Sequence, residues 1–127
     1  MIEVNTCTND KQVDISIYLD ILLSKLGFVN ITKLGVFYYK QVILLALSLP
    51  EDDLKLNNLI SQVSQKYNKP KKQVRRNINS IFEKLDISLM KKNFSSLFHI
   101  DFNYCYTTPK NLLFLIINCI YKNKSCK

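Results

Sequence analysis

Glycine is nearly absent from this sequence, with only Gly27 and Gly35 in 127 residues. A loop that cradles phosphates needs several glycines close together so that backbone amides can turn onto the anion, so a nucleotide loop of that kind is excluded. Histidine occurs once, at His99. A Cys–His nucleophile pair would have to be made by His99 and Cys105, which are neighbours in sequence only, with no third residue in view to orient the base. The plainer reading is a surface or packed histidine, and no enzyme is expected. The four cysteines, Cys7, Cys105, Cys119 and Cys126, include no closely spaced pair of the kind that metal knuckles use, so they read as reduced thiols and no metal or cofactor is expected. Long apolar runs are missing too. The longest, Val42 to Leu49 and Leu112 to Ile117, fall well short of the roughly 18 residues that span a bilayer. Residues Met1 to Lys11 have no apolar signal-peptide core. The expectation is a cytoplasmic chain with no membrane partner.

Arginine is scarce, and its placement is informative. Arg75 and Arg76 are the only two, side by side in KPKKQVRRN, Lys69–Asn77, in a chain that otherwise uses lysine. The formal charge is +8. Most of it comes from Lys66, Lys69, Lys71, Lys72, Arg75 and Arg76, a window with no acid in it. Such a focus of charge points to a polyanion, nucleic acid or an anionic membrane surface; the bland alternative is a solvated lysine-rich face.

With 47% apolar residues the chain is long enough to bury one core, and helical spacing recurs along it. Helix one is expected from an Asp14 cap through Ile15, Leu19, Leu22, Leu23 and Leu26, with Gly27 as the left-handed residue that closes it. Helix two runs from about Thr32 to Leu49 and ends at Pro50; apolar residues on most of its sides make it central. Helix three carries Leu56, Leu59, Ile60, Val63 and Tyr67 and stops at Asn68. Helix four opens with Pro70 in its first turn and has the stripe Val74, Ile78, Ile81, Phe82 and Leu85. Helix five is capped by Asp86 and carries Ile87, Met90, Phe94, Leu97 and Phe98; helix six has Thr108 as cap and Pro109 at its first position, then Leu112 to Ile120. No alternating segment is long enough to read as a strand, and Phe98 to Tyr106 alone stays open between helix and extended chain. No repeat or low-complexity tract is present. The expected fold is all-α: a tail, 1–13, then a six-helix domain, 14–124.

Helices three and four are separated only by the tight connection NKP, and the second of the pair is basic. That arrangement reads as a helix-turn-helix whose second member enters the major groove of DNA. With Val74 at 0° and about 100° per residue, the apolar stripe lies between about −20° and 80°, whereas Lys72, Arg75, Arg76 and Asn79 lie between about 100° and 200°. Arginine can donate two parallel hydrogen bonds to guanine O6 and N7, while a lysine ammonium is a point charge suited to phosphate. The expected base-reading residues are therefore Lys72, Arg75, Arg76, Asn79 and Ser80, and the expected phosphate contacts are Lys66, Lys69, Lys71 and Gln73.

The stretch VSQKYNKPKKQVRRNINSIFEKL resembles the helix-turn-helix of the C-terminal DNA-binding effector domain of the sporulation-initiation response regulator family of endospore-forming bacteria. Upstream, ISIYLDILLSKLGFVNITKLGVFYYKQVILLAL is similar to that domain's first two helices; downstream, YTTPKNLLFLIINCI is similar to its last. The likeness covers about residues 14 to 124 and implies a six-helix transcription regulator without a wing, binding short asymmetric boxes, often in tandem. It also implies RNA polymerase and a second copy of the chain as partners. Arg76 matches a family arginine, whereas Arg75 stands where the family has glutamate, and Asn79 and Ser80 replace an Arg-His pair. Those departures imply a different or relaxed DNA site, since glutamate accepts from cytosine N4, which arginine cannot, and Asn79 suits adenine. Only about thirteen residues precede helix one, so no phosphoacceptor receiver domain is expected.

Three alternatives stay open at this level. An interaction protein or decoy that has lost specific DNA binding would modulate a paralogous regulator or the polymerase. Helix six, apolar on most faces, serves either as core or as a dimer seam. Tyr38, Tyr39, Tyr104, Tyr106 and Tyr121 belong either to the core or to a base-stacking surface.

Overall fold

A computed structural model describes residues 15–28, 33–49 and 55–125. Within them the chain is all-helical: helix α1 over 15–25, α2 Leu34–Leu47, α3 Leu56–Tyr67, α4 Lys71–Glu83, α5 Ile87–Phe98, a 3₁₀ turn at Tyr104–Thr107, and α6 Pro109–Ser125. No strand occurs among the described residues.

The ends of these helices follow local chemistry. Gly27 takes φ +104, and the amides of Gly27 and Phe28 donate back to the carbonyls of Ser24 and Leu23 at 3.2 and 3.1 Å. This double bond pattern satisfies carbonyls that the end of a helix would otherwise orphan. The Asp86 side chain accepts from the Leu89 amide at 3.1 Å, and Thr108 Oγ1 accepts from the Asn111 amide at 3.4 Å, so both expected N-caps are in place. The Asp14 cap, the Thr32 start of helix two and its Pro50 stop lie outside the described residues. Pro70 is displaced by one position from its expected place. Its ψ of 138° is extended, so it caps α4 from outside, and its carbonyl accepts from the amides of Gln73 and Val74.

Helix α2 is the centre of the molecule, packed against α3, α4 and α6. Gly35 sets how closely α2 and α4 approach. A Cβ added there would stand 2.2 Å from the Asn77 carbonyl oxygen and 2.7 Å from Ile81 Cγ2, so any side chain would part the two helices. Gly27 has the same function at the other end of the core: its added Cβ would meet the Asp86 carbonyl oxygen at 2.5 Å, while its own carbonyl accepts from the Asp86 amide at 3.0 Å. Asn93 Nδ2 donates to the Lys25 carbonyl at 2.8 Å, further tying α1 to α5. Lys40 pairs with Asp20 at 2.8 Å across α1 and α2.

The core holds Leu19, Leu23, Tyr39, Ile43, Leu59, Val74, Ile78, Met90, Phe94 and Leu112 among others, and no polar or charged side chain is buried among the described residues. Tyr38 and Tyr39 are core residues. Tyr39 packs with Phe28 and Phe82 in a cluster of three mutually touching rings, and its hydroxyl donates to the Pro109 carbonyl at 2.9 Å, joining α2 to the start of α6. Burial pushes this phenol well above its ordinary pKa, which keeps it a donor. Leu112, Leu113, Ile116, Ile117 and Ile120 of α6 are also buried in the single chain.

The segment left open by the sequence, Phe98 to Tyr106, forms no strand. Phe98 ends α5, His99 closes that helix with φ 60, and the chain then winds into the 3₁₀ turn. Polar side chains replace the partners that a sheet would have supplied: Asn103 accepts from the Cys105 amide at 2.8 Å, Asn111 Nδ2 donates to the Cys105 carbonyl at 2.8 Å, and Thr107 Oγ1 donates to the Tyr104 carbonyl at 2.7 Å. Phe102 and Tyr106 close onto Phe94 of α5, with ring centroids 5.4 Å away in each case.

Candidate nucleic-acid interface

The connection between α3 and α4 is built by three residues, Asn68, Lys69 and Pro70. Asn68 adopts φ 54, ψ 48, a left-handed conformation that asparagine tolerates better than most residues. Its amide donates to the Gln65 carbonyl at 3.3 Å and the Lys69 amide to the Ser64 carbonyl at 3.0 Å, the same two-bond closure seen after α1. The Ser64 hydroxyl donates to the Lys69 carbonyl, pinning the turn from the other side. Pro70, with φ fixed by its ring, then directs the chain into α4. Lys66 and Lys69 are exposed on either side of Asn68, and Lys66 Nζ lies 5.5 Å from the Tyr67 ring.

Helix α4 has two unlike faces. Val74, Ile78, Ile81 and Phe82 are buried, each contributing about 1.5–3 kcal/mol by leaving water, so rotating the helix about its axis is strongly opposed. The opposite face is held outward as a result: Lys72, Arg76, Asn79 and Glu83 are all exposed, at spacings of four, three and four residues that form one stripe. Of the expected site residues, the structure thus brings Lys72, Arg76 and Asn79 together in line. Lys71 lies at the open end of α4 and is half-buried, while Gln73 and Ser80 share one flank of the helix and are also half-buried. The first turn of α4 has no side-chain cap, which leaves amide donors and the positive end of the helix dipole beside Lys69, Lys71 and Lys72.

Arg75 separates from the others. It is half-buried on the α3 side of the helix, and its Nη2 donates to Asn57 Oδ1 of α3. At about 100° from Val74 it lies at the margin of the apolar stripe, where a guanidinium reaches a neighbouring helix more easily than solvent beyond it. It also lines an open groove of about 600 Å³ together with Lys55, Leu56, Asn57, Ile60, Lys110 and Phe114. Lys55 and Asn57 at the start of α3, Arg75 on α4 and Lys110 on α6 were invisible as a group in the sequence because they come from three separate helices. Glu83, on the outward stripe of α4, was likewise not singled out; its place follows from the same 3.6-residue period as Arg76.

Outside this region, His99 is exposed as the closing residue of α5, and Cys105 is exposed in the 3₁₀ turn. Tyr104 is exposed, whereas Tyr106 and Tyr121 are half-buried against the core. No group of three metal-ligating side chains occurs among the described residues, and no helix there is long and apolar enough to cross a membrane. Comparison with family models, curated proteins and solved structures returns no match to this chain.

Proposed function

We propose that this chain is a sequence-specific double-stranded DNA-binding domain that regulates transcription, with α3, the Asn68–Pro70 turn and α4 as its helix-turn-helix and α4 as the element that enters the major groove. The observation that carries the reading is the outward stripe of α4, where Lys72, Arg76 and Asn79 project from a helix whose other side is locked into the core. The resemblance to the sporulation regulator's effector domain supports it from the sequence side. Arg76 reads a guanine through O6 and N7, Asn79 suits an adjacent adenine, and Lys72 adds charge beside them. Lys66, Lys69 and Lys71, with the free amides at the start of α4, take the phosphates on either side. Arg75 is assigned to the α3–α4 seam rather than to a base, which leaves Arg76 as the one arginine on the reading face.

Selection of bound sequences from random duplexes, run in parallel on the native chain and on Arg76→Lys, tests this. The substitution keeps the charge and removes the two-pronged donor, so guanine preference is expected to fall at one position by about 1–3 kcal/mol while non-specific affinity persists. An identical preferred sequence from both proteins would remove Arg76 from base reading. Absence of any preferred sequence with the native chain would favour the decoy or interaction-protein reading.

A further inference from the structure

The groove between α3, α4 and α6 is left unexplained by DNA binding. It is concave, it measures about 600 Å³, and its lining divides cleanly by chemistry. Leu56, Ile60 and Phe114 give it an apolar floor, and three cations from three different elements stand around it: Lys55 just before α3, Arg75 on α4 and Lys110 in the first turn of α6. No acidic side chain of the described residues lines it. Three like charges converging on one depression repel one another, and an anion placed among them relieves that repulsion and gains their attraction. Arg75 is held there by Asn57 Oδ1, a neutral acceptor that a charged oxygen outcompetes. A duplex does not suit this shape, because a sugar-phosphate backbone offers no apolar body to cover Leu56, Ile60 and Phe114. The size falls in the range of pockets that take small molecules, which pair an apolar lining with a few convergent polar groups.

We propose that this groove binds a small amphipathic anion, an apolar chain or ring bearing a carboxylate or phosphate. The head group is held by Lys55, Arg75 and Lys110, and the apolar body lies over Leu56, Ile60 and Phe114. The site adjoins the α3–α4 pair beside the Lys72–Arg76–Asn79 stripe, and none of those three residues lines it. Its existence does not depend on the chain binding DNA.

The test is titration of the isotope-labelled full chain, without DNA, with decanoate and with decyl phosphate below their micelle concentrations, followed by amide chemical shifts. Saturable shifts confined to Leu56, Asn57, Ile60, Arg75 and the first turns of α6 are expected for at least one probe, and the tighter-binding probe identifies the head group. Decanol, which has the chain without the charge, should bind at least tenfold more weakly. Lys55→Glu/Lys110→Glu, both at exposed positions, should weaken the anionic probe at least tenfold; Lys110→Gln serves as the milder variant if the double change disturbs the fold. The proposal is overturned by shifts that do not saturate, by shifts centred on the exposed α1 residues Ile17 and Ile21, by decanol binding as tightly as decanoate, or by a folded variant that binds like the native chain.

Discussion

The two faces of α4 use the same helical period for opposite ends. On the inner face, four apolar side chains and the close passage of Gly35 fix the helix against α2. On the outer face, Lys72, Arg76, Asn79 and Glu83 make no contact that the fold requires. A face that is tightly determined and one that is free can belong to a single helix because residues about 180° apart around it share a backbone but not an environment. The lesson is that the inner face orients the outer one: the precision with which Arg76 is presented comes from Ile78 and Gly35, which never meet solvent. Substitutions should therefore separate into those that alter stability and those that alter binding, and the following three are ordered by the size of the stability change that each should produce.

Gly35→Ala should have the largest effect. Its methyl group would stand 2.2 Å from the backbone oxygen of Asn77, and backbone cannot rotate away as a side-chain tip can. The helices must separate, at a cost of about 3 kcal/mol or more, and DNA affinity should fall with the folded population. Chemical denaturation with an unchanged midpoint would show that α2 and α4 are not in close contact, and would break the inner side of the comparison.

Ile78→Val removes one methylene from the inner face without changing its shape greatly. A loss of about 0.5–1.5 kcal/mol is expected, measured by urea unfolding with an unchanged slope. At concentrations where the variant is still folded, its preferred DNA sequence should match that of the native chain. A changed sequence preference would mean that the inner face tunes recognition directly, which would sharpen the comparison into a coupling between the two.

Much of this division was legible in the sequence. The apolar stripe of α4, the caps Asp86 and Thr108, the closing role of Gly27 and the stop at Asn68 all rest on rules that act within a few residues, and the structure bears each of them out. What local rules cannot supply is the partner across the fold. The sequence shows a glycine at position 35 but not the carbonyl of Asn77 that makes it necessary. Arg75 and Arg76 are adjacent letters with equal chemistry, and only the position of α3 assigns one to Asn57 and leaves the other exposed. The alternation of Phe98, Ile100, Phe102, Tyr104 and Tyr106 is too short to read as a strand and left that stretch open; only the fold shows Phe98, Phe102 and Tyr106 gathering around Phe94. Lys91, which lies 4.8 Å from the Tyr104 ring, completes that cluster and was equally invisible before the chain was folded.

Lys72→Gln should have the smallest effect on stability and a clear one on binding. Lys72 is exposed on the outer stripe, and no carboxylate lies within ion-pair distance of it among the described residues. Its ammonium shares the start of α4 with the like charges of Lys69, Lys71 and Arg76, so removing it lowers repulsion while leaving every buried contact in place. The unfolding free energy should stay within about 0.5 kcal/mol of the native value. DNA binding should respond differently. If Lys72 neutralises one phosphate, its loss lowers the slope of log affinity against log salt by about 0.9 and weakens binding to all duplexes alike; if it reads a base edge, the slope is nearly kept and one position of the preferred sequence relaxes. Titrations at three or more salt concentrations on a selected and an unrelated duplex distinguish the two. A variant that loses more than about 1 kcal/mol of stability would show that the outer face is structural after all; one that binds both duplexes with native affinity and slope would place Lys72 outside the interface and shift the reading surface toward Arg76, Asn79 and the free amides at the start of α4.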